Sequence, residues 1–383
     1  MKLAWFRPAA LAPTPKLDAT AALIAGLQAT HALELFTDTS AHDFVWKHFR
    51  APYELCVFEL DNTAAHAFIW PYLLHYPGVL LLASPTLHDS RAQALIAAGR
   101  RGDYEQEFAF NEGYAARRLR VPPRVPHGSW AMLRAPLLAS RLAVVPHRSV
   151  AELLCAEHPA ARVAYAPLPV PEVDLGPREN AGRAGVTFGV LAGDRIEVAR
   201  RAHARAVESG AEAELVIEPS PDRLLDSADV VLALSWPAPG DPLQLARAAM
   251  AARKPVVAPE TVFTADWPAL DPQTWRPRGS LPDAPAAVTI DLRDEEHSLA
   301  LAMRRLSADA PLRARLADEG QAWWRAHASP RRALERWERL LREAATLDPP
   351  ARPADWPPHL TPDGTERTRA MLEEFGVTVD LFD

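Results

Sequence analysis

Cysteine is nearly absent: Cys56 and Cys155 are the only two in 383 residues. Two thiols cannot staple a fold of this length. Each lies inside an apolar run, which suits buried thiols in a reducing compartment. No apolar run approaches the roughly 20 residues that span a bilayer. Pro8, Pro13 and Pro15 also interrupt the N-terminal "MKLAWFRPAALAPTPKL" before a signal-peptide core can form. The expectation is a soluble cytoplasmic protein that is not transmembrane, with peripheral membrane contact left open. A basic stripe is missing too. The formal charge is −7, and the arginines alternate with Glu and Asp along helical patterns. Nucleic acid is not an expected partner.

Several chemistries are excluded in the same way. No His or Cys cluster has metal-ligand spacing, so no metal site is expected. A Walker loop and a spaced dinucleotide glycine fingerprint are both missing, and no cofactor is expected. Neither "GSW" nor "GDR" makes a nucleophile elbow.

What the sequence does have is alternation. Short apolar runs "KLAWF" (2–6), "ALELFT" (32–37), "YELCVFEL" (53–60), "GVLLLA" (78–83), "RLAVVP" (141–146) and "ARVAYAP" (161–167) are interleaved with helical patterns near 17–28, 63–74, 88–100 and 148–156. Continuous buried strands alternating with helices imply a parallel sheet covered on both faces. Residues 1–168 are therefore an N-terminal Rossmann-like domain. The proline- and glycine-rich stretch 169–185 is a linker. A second alternation fills 186–345, through "VTFGVL" (186–191), "AELVI" (213–217), "VVLAL" (230–234), "PVVAP" and "AVTIDL" (287–292), and ends in three helices. Residues 346–383 form a proline-extended tail and a last helix from about 362 to 374, stopped by Gly376. Trp323 and Trp324 sit on an amphipathic helix and are expected in the core.

Two consecutive Rossmann-like domains with closing C-terminal helices resemble the GT-B architecture. Three stretches make the resemblance specific to bacterial family-4 glycosyltransferases. They are 53–92, with Asn62, His66 and "PGVLLLA"; "ASRLAVVPHRSVAELL" (139–154); and "SADVVLALSWP" through "RAAMAARKPVV". The fold class this implies is α/β, with two Rossmann-like domains facing a central cleft. The implied activity is transfer of a sugar from a nucleotide-diphosphate sugar, with retention, to a glycan or lipid-linked acceptor.

The resemblance carries site residues with it. Family members bind the donor diphosphate at a helix N-terminus in the second domain. Here Gly240, Asp241, Pro242, Leu243 and Gln244 lead into such a helix, expected to begin near Pro242, with Glu260 closing the stretch. Gly193 and Arg195 follow the first strand of that domain, where a basic residue meets phosphate. Arg195 can serve that role through bidentate contacts or can pair with a nearby acid. Asp241 is either a helix N-cap or an acceptor for a sugar hydroxyl, and with His88 it is a candidate for the reacting centre. Asn62, Ser84 and His88 are acceptor-side candidates, His88 having packing or capping as its alternative. His66 is expected to be structural.

Three family features are missing. The loop after the first strand has no glycine, Ala83-Ser84 replaces a His-Asp pair, and Ala248 stands where a ribose-binding Glu belongs. An inactive GT-B scaffold that binds or assembles with a partner is therefore the alternative.

Overall fold

The computed structural model describes residues 1–9, 18–118, 130–173, 185–236, 243–278, 284–361 and 371–376; side chains of 114–118 are left aside. The first half runs β1 (Lys2–Phe6), α1 (Ala19–Leu27), β2 (Ala32–Phe36), α2 (Asp43–Arg50), β3 (Leu55–Leu60), α3 (Ile69–His75) and β4 (Val79–Leu82). It continues with α4 (His88–Ala97), α5 (Arg101–Arg118), α6 (Arg134–Ala139), β5 (Leu142–Val145), α7 (Arg148–Glu157) and β6 (Val163–Tyr165). These six strands form one parallel sheet in the order β2-β1-β3-β4-β5-β6.

The second half runs β7 (Val186–Leu191), α8 (Ile196–Glu208), β8 (Ala213–Glu218), α9 (Pro221–Ser227), β9 (Val230–Leu232), α10 (Gln244–Ala251), β10 (Val256–Pro259), β11 (Ala269–Leu270) and β12 (Ala287–Ile290). Three helices follow: α11 (Glu295–Ala308), α12 (Ala310–His327) and α13 (Pro330–Thr346). Its strands form a second parallel sheet, β11-β12-β10-β9-β7-β8.

Burial explains the runs. β3 is buried at every position, whereas the edge strands β2 and β8 are largely exposed or half-buried. Only a strand covered on both faces must be apolar throughout.

The structure departs from the sequence reading at several points. The single helix expected near 63–74 is divided into a 3-10 turn, Ala64–His66, and α3. Pro71 accounts for the break: it is tolerated in the first turn of α3 but would block the interior of a longer helix. Cys56 is buried, but Cys155 is exposed. Helix α13, read as part of the second domain, packs on the first sheet instead. Its Trp337, Leu340, Leu341 and Ala344 share a core with Trp5, Leu23 and Val57. Gly26 of α1 gives it room, since a Cβ there would lie 2.6 Å from Leu334 Cδ2. The tail then lies along α3, α5 and α6, through Arg352 on the Leu74 carbonyl (2.9 Å) and Trp356 against Phe110 (5.4 Å). Most of the last helix lies outside the described residues.

Candidate functional site

An open parallel sheet binds ligands outside the carboxyl ends of its strands, where the strand order reverses. The first sheet reverses between β1 and β3, the second between β7 and β9. The loops at these two points are the places to look for chemistry.

In the second sheet the loop after β7 turns at Gly193, whose φ of 103° favours glycine. It presents Asp194 and Arg195 toward the end of β9. The Ser235 hydroxyl donates to Asp194 Oδ1 (2.7 Å), and Arg195 Nη1 donates to the Trp236 carbonyl (3.1 Å). Arg195 Nη2 also pairs with Glu295 Oε2 (2.5 Å) at the start of α11. Asp194 Oδ2, Arg195 Nε and Glu295 Oε1 are buried without a hydrogen-bond partner among the described residues. Burial raises the Asp194 carboxyl above its ordinary value, with the Ser235 bond opposing it. Burial raises Glu295 likewise, and Arg195 pulls it back. The arrangement is a half-exposed cationic fork whose present partner is a buried carboxylate. That geometry suits any bidentate anion.

In the first sheet the counterpart is a group the sequence reading missed. Arg7, just past β1, bonds Asp18 Oδ2 at 2.8 Å and approaches Glu59 Oε2 at 3.5 Å. Glu59 is buried, and burial pushes its carboxyl up to about 7 despite the nearby Arg7. Next to it Thr63 Oγ1 bonds His66 Nδ1 (2.9 Å), and burial holds the His66 imidazole down at about 4. His66 is thus a neutral packed side chain, in line with its structural reading. The signal for this cluster was a carboxylate inside an otherwise apolar strand.

The acceptor-side candidates Asn62, Ser84 and His88 come together around the start of α4. Asn62 Nδ2 donates to Thr86 Oγ1 (3.1 Å) and Asp89 Oδ2 (2.9 Å), and its Oδ1 accepts from the Ser90 N–H (3.0 Å). Both ends of this amide serve to fasten β3 to α4. Ser84 Oγ accepts from the Thr86 N–H (3.4 Å). His88 is buried, with Nε2 on the Tyr104 hydroxyl (2.9 Å); burial lowers its pKa and Asp89 opposes the shift.

The donor-side candidates are more dispersed. Gly240, Asp241 and Pro242 lie outside the described residues. α10 begins at Gln244, two residues later than expected, and Leu243 before it is buried. Glu260, just past β10, pairs with Arg278, which also donates to the Thr289 carbonyl (3.1 Å). Ala248 is 1% exposed, inside an apolar core, so this position offers no surface to a ribose.

The carboxyl ends of the two sheets meet at one edge. Arg247 of α10, itself buried, bonds His147 Nδ1 (3.0 Å) and the Pro146 carbonyl (3.4 Å) just past β5. Phe263 packs on His147 (4.9 Å) and on Trp236 (5.8 Å). Among the described residues no group of His, Cys, Asp and Glu is placed to hold a metal, and no helix is long and apolar enough to cross a membrane.

Among solved structures, Anabaena HepE in complex with UDP and glucose is 11% identical, with a TM-score of 0.53. The match spans 89% of this chain and 99% of that one. The fold is GT-B. WaaG, a glycosyltransferase involved in lipopolysaccharide biosynthesis, matches over 90% of this chain and 100% of its own at 11% identity, with a TM-score of 0.47. A Staphylococcus aureus TarM variant in complex with Fondaparinux, alpha-GlcNAc-glycerol and UDP has a TM-score of 0.43 at 11% identity, covering 57% of this chain. The chain spans about half of TarM, 48% of its length. No protein-family model and no curated protein sequence matches the chain.

Proposed function

We propose that the GT-B cleft takes a nucleotide-diphosphate sugar and passes its sugar, with retention, to a glycan or lipid-linked acceptor. The observation that carries this reading is Arg195, a partly desolvated guanidinium at the reversal point of the second sheet. A diphosphate there would exchange with the Glu295 carboxylate for the same fork. Gly193, Arg195, Gly240 to Gln244 and Glu260 form the donor wall in this proposal, and Asn62, Ser84 and His88 the acceptor wall. Asp241 and His88 are its candidates for contact with the transferring sugar. Retention demands stabilisation of the leaving diphosphate more than a side-chain base, so backbone N–H groups and one arginine are suitable tools. The UDP and glucose bound to HepE are the ligand types this reading extends to the present chain.

Two observations favour a second reading, an inactive scaffold that binds a partner. Arg195 is already neutralised by Glu295, and Ala248 is sealed in the core. Calorimetry with UDP and GDP, paired with a donor-hydrolysis assay across common nucleotide sugars, separates the two. For the donor site, Arg195→Ala is expected to weaken nucleotide binding by more than about 1 kcal/mol. Binding without turnover of any donor selects the scaffold reading. No binding by the folded wild type overturns the donor site.

A further inference from the structure

We propose that Glu295 is a proton-operated gate on Arg195: ionised, it occupies the guanidinium and keeps anions off, and protonated, it releases it. The inference rests on the donor-site reading and adds a regulation to that site. The geometry is that of a replaceable partner. An arginine and a carboxylate bind best through two parallel hydrogen bonds. Here Nη2 alone reaches Glu295 Oε2 (2.5 Å), while Nη1 donates to the Trp236 carbonyl (3.1 Å). Arg195 Nε and Glu295 Oε1 are both buried without a hydrogen-bond partner among the described residues. One edge of the guanidinium, Nε with Nη2, therefore meets a single oxygen where a bidentate anion offers two. Access differs as well. Glu295 is 8% exposed and the Arg195 side chain 37%, so the side of the pair open to solvent is the cation's.

Charge decides what becomes of Glu295 when an anion arrives. Two cations from the elements packed against α11 act on it, Arg195 from the loop after β7 and Arg201 from α8. Arg201 is itself paired with Glu296 (2.8 Å). The neighbouring carboxylates are held elsewhere: Asp194 by Ser235 (2.7 Å), and Asp291, in the turn before α11, by Arg293 (2.7 Å). Burial already raises the Glu295 carboxyl above its ordinary value, and Arg195 holds it down. An anion on Arg195 lifts that restraint and adds a like charge, so the buried carboxylate takes up a proton from solvent. Anion binding and proton uptake are then linked, and by reciprocity each favours the other. Affinity should rise as pH falls from the value at which Glu295 titrates in the complex to the lower value at which it titrates in the free protein. Below that the gate is open and the slope ends.

Calorimetric titration of the full chain with UDP between about pH 5 and pH 8 reads the gate as a ratio of affinities, in which the ionisation of UDP itself cancels. Glu295→Gln keeps the shape and removes the charge. It is expected to bind UDP at least about tenfold more tightly than wild type at pH 8 and within about twofold of it at pH 5. Glu295→Ala should show the same pattern, which guards against a fault peculiar to the glutamine. In an Arg195→Ala background, Glu295→Gln should bring no gain, because the carboxylate then has no cation to occupy. Wild type and Glu295→Gln with equal affinity at every pH, a gain that stays constant across the range, or a gain that persists without Arg195 each overturn the gate and leave the donor site standing. Absence of UDP binding by the folded wild type at every pH overturns both.

Discussion

Glu59 makes the stability of this protein depend on pH in a direction opposite to the usual carboxylate. Its folded-state pKa stands at about 7 against an ordinary 4.5, because burial disfavours the charged form and Arg7 only partly compensates. Below about pH 4.5 the group is protonated whether the chain is folded or not, and it contributes no slope. Between 4.5 and 7 the unfolded chain releases the proton while the fold retains it. The folded state then binds more protons, and stability falls as pH rises. Above 7 both states are ionised and the loss is complete. At 1.36 kcal/mol per unit the full loss is on the order of 3 kcal/mol. With about 2.1 cal/mol/K of unfolding entropy per residue, that is roughly 4 °C in Tm for a chain of this length.

Glu59→Gln keeps the shape and removes the titration. Scanning calorimetry of both proteins from pH 5 to 8.5 should show equal Tm at the acid end. At the alkaline end the variant should be about 4 °C more stable. Parallel curves, with a constant offset across the range, would refute the reasoning and mean that Arg7 fully neutralises Glu59 in the fold.

Two further outcomes follow from packing. Trp337→Ala removes a fully buried ring that packs on Trp5 (6.0 Å) and donates to the Pro167 carbonyl (3.1 Å). It should cost about 3–5 kcal/mol in urea unfolding, and a loss under about 1 kcal/mol would mean that α13 does not hold the first sheet together. Ala248→Glu places a carboxylate in an apolar core, so it should destabilise by at least about 2 kcal/mol and not restore a ribose contact. Unchanged stability together with tighter UDP binding would show that position 248 faces the cleft.

The sequence by itself determined the two-sheet architecture. The central strands are buried on both faces, so "LCVFEL" and "VTFGVL" are apolar almost throughout and stand out between helical patterns. It did not show α2, because eight residues make only about two turns, too few for a helical period to stand out between β2 and β3. Nor could it place α13, whose amphipathic stripe states that a face is buried but not which sheet buries it. At the site, the resemblance pointed to Gly193 and Arg195, which lie in the loop after β7. The partners that define their chemistry, Ser235 and Glu295, lie 41 residues beyond Asp194 and in α11 respectively. Arg7 and Glu59 are likewise distant in sequence and adjacent in space. Tertiary structure decided these pairings because a parallel sheet aligns the carboxyl ends of strands that the chain visits far apart. Burial there then fixes which charged groups must neutralise one another.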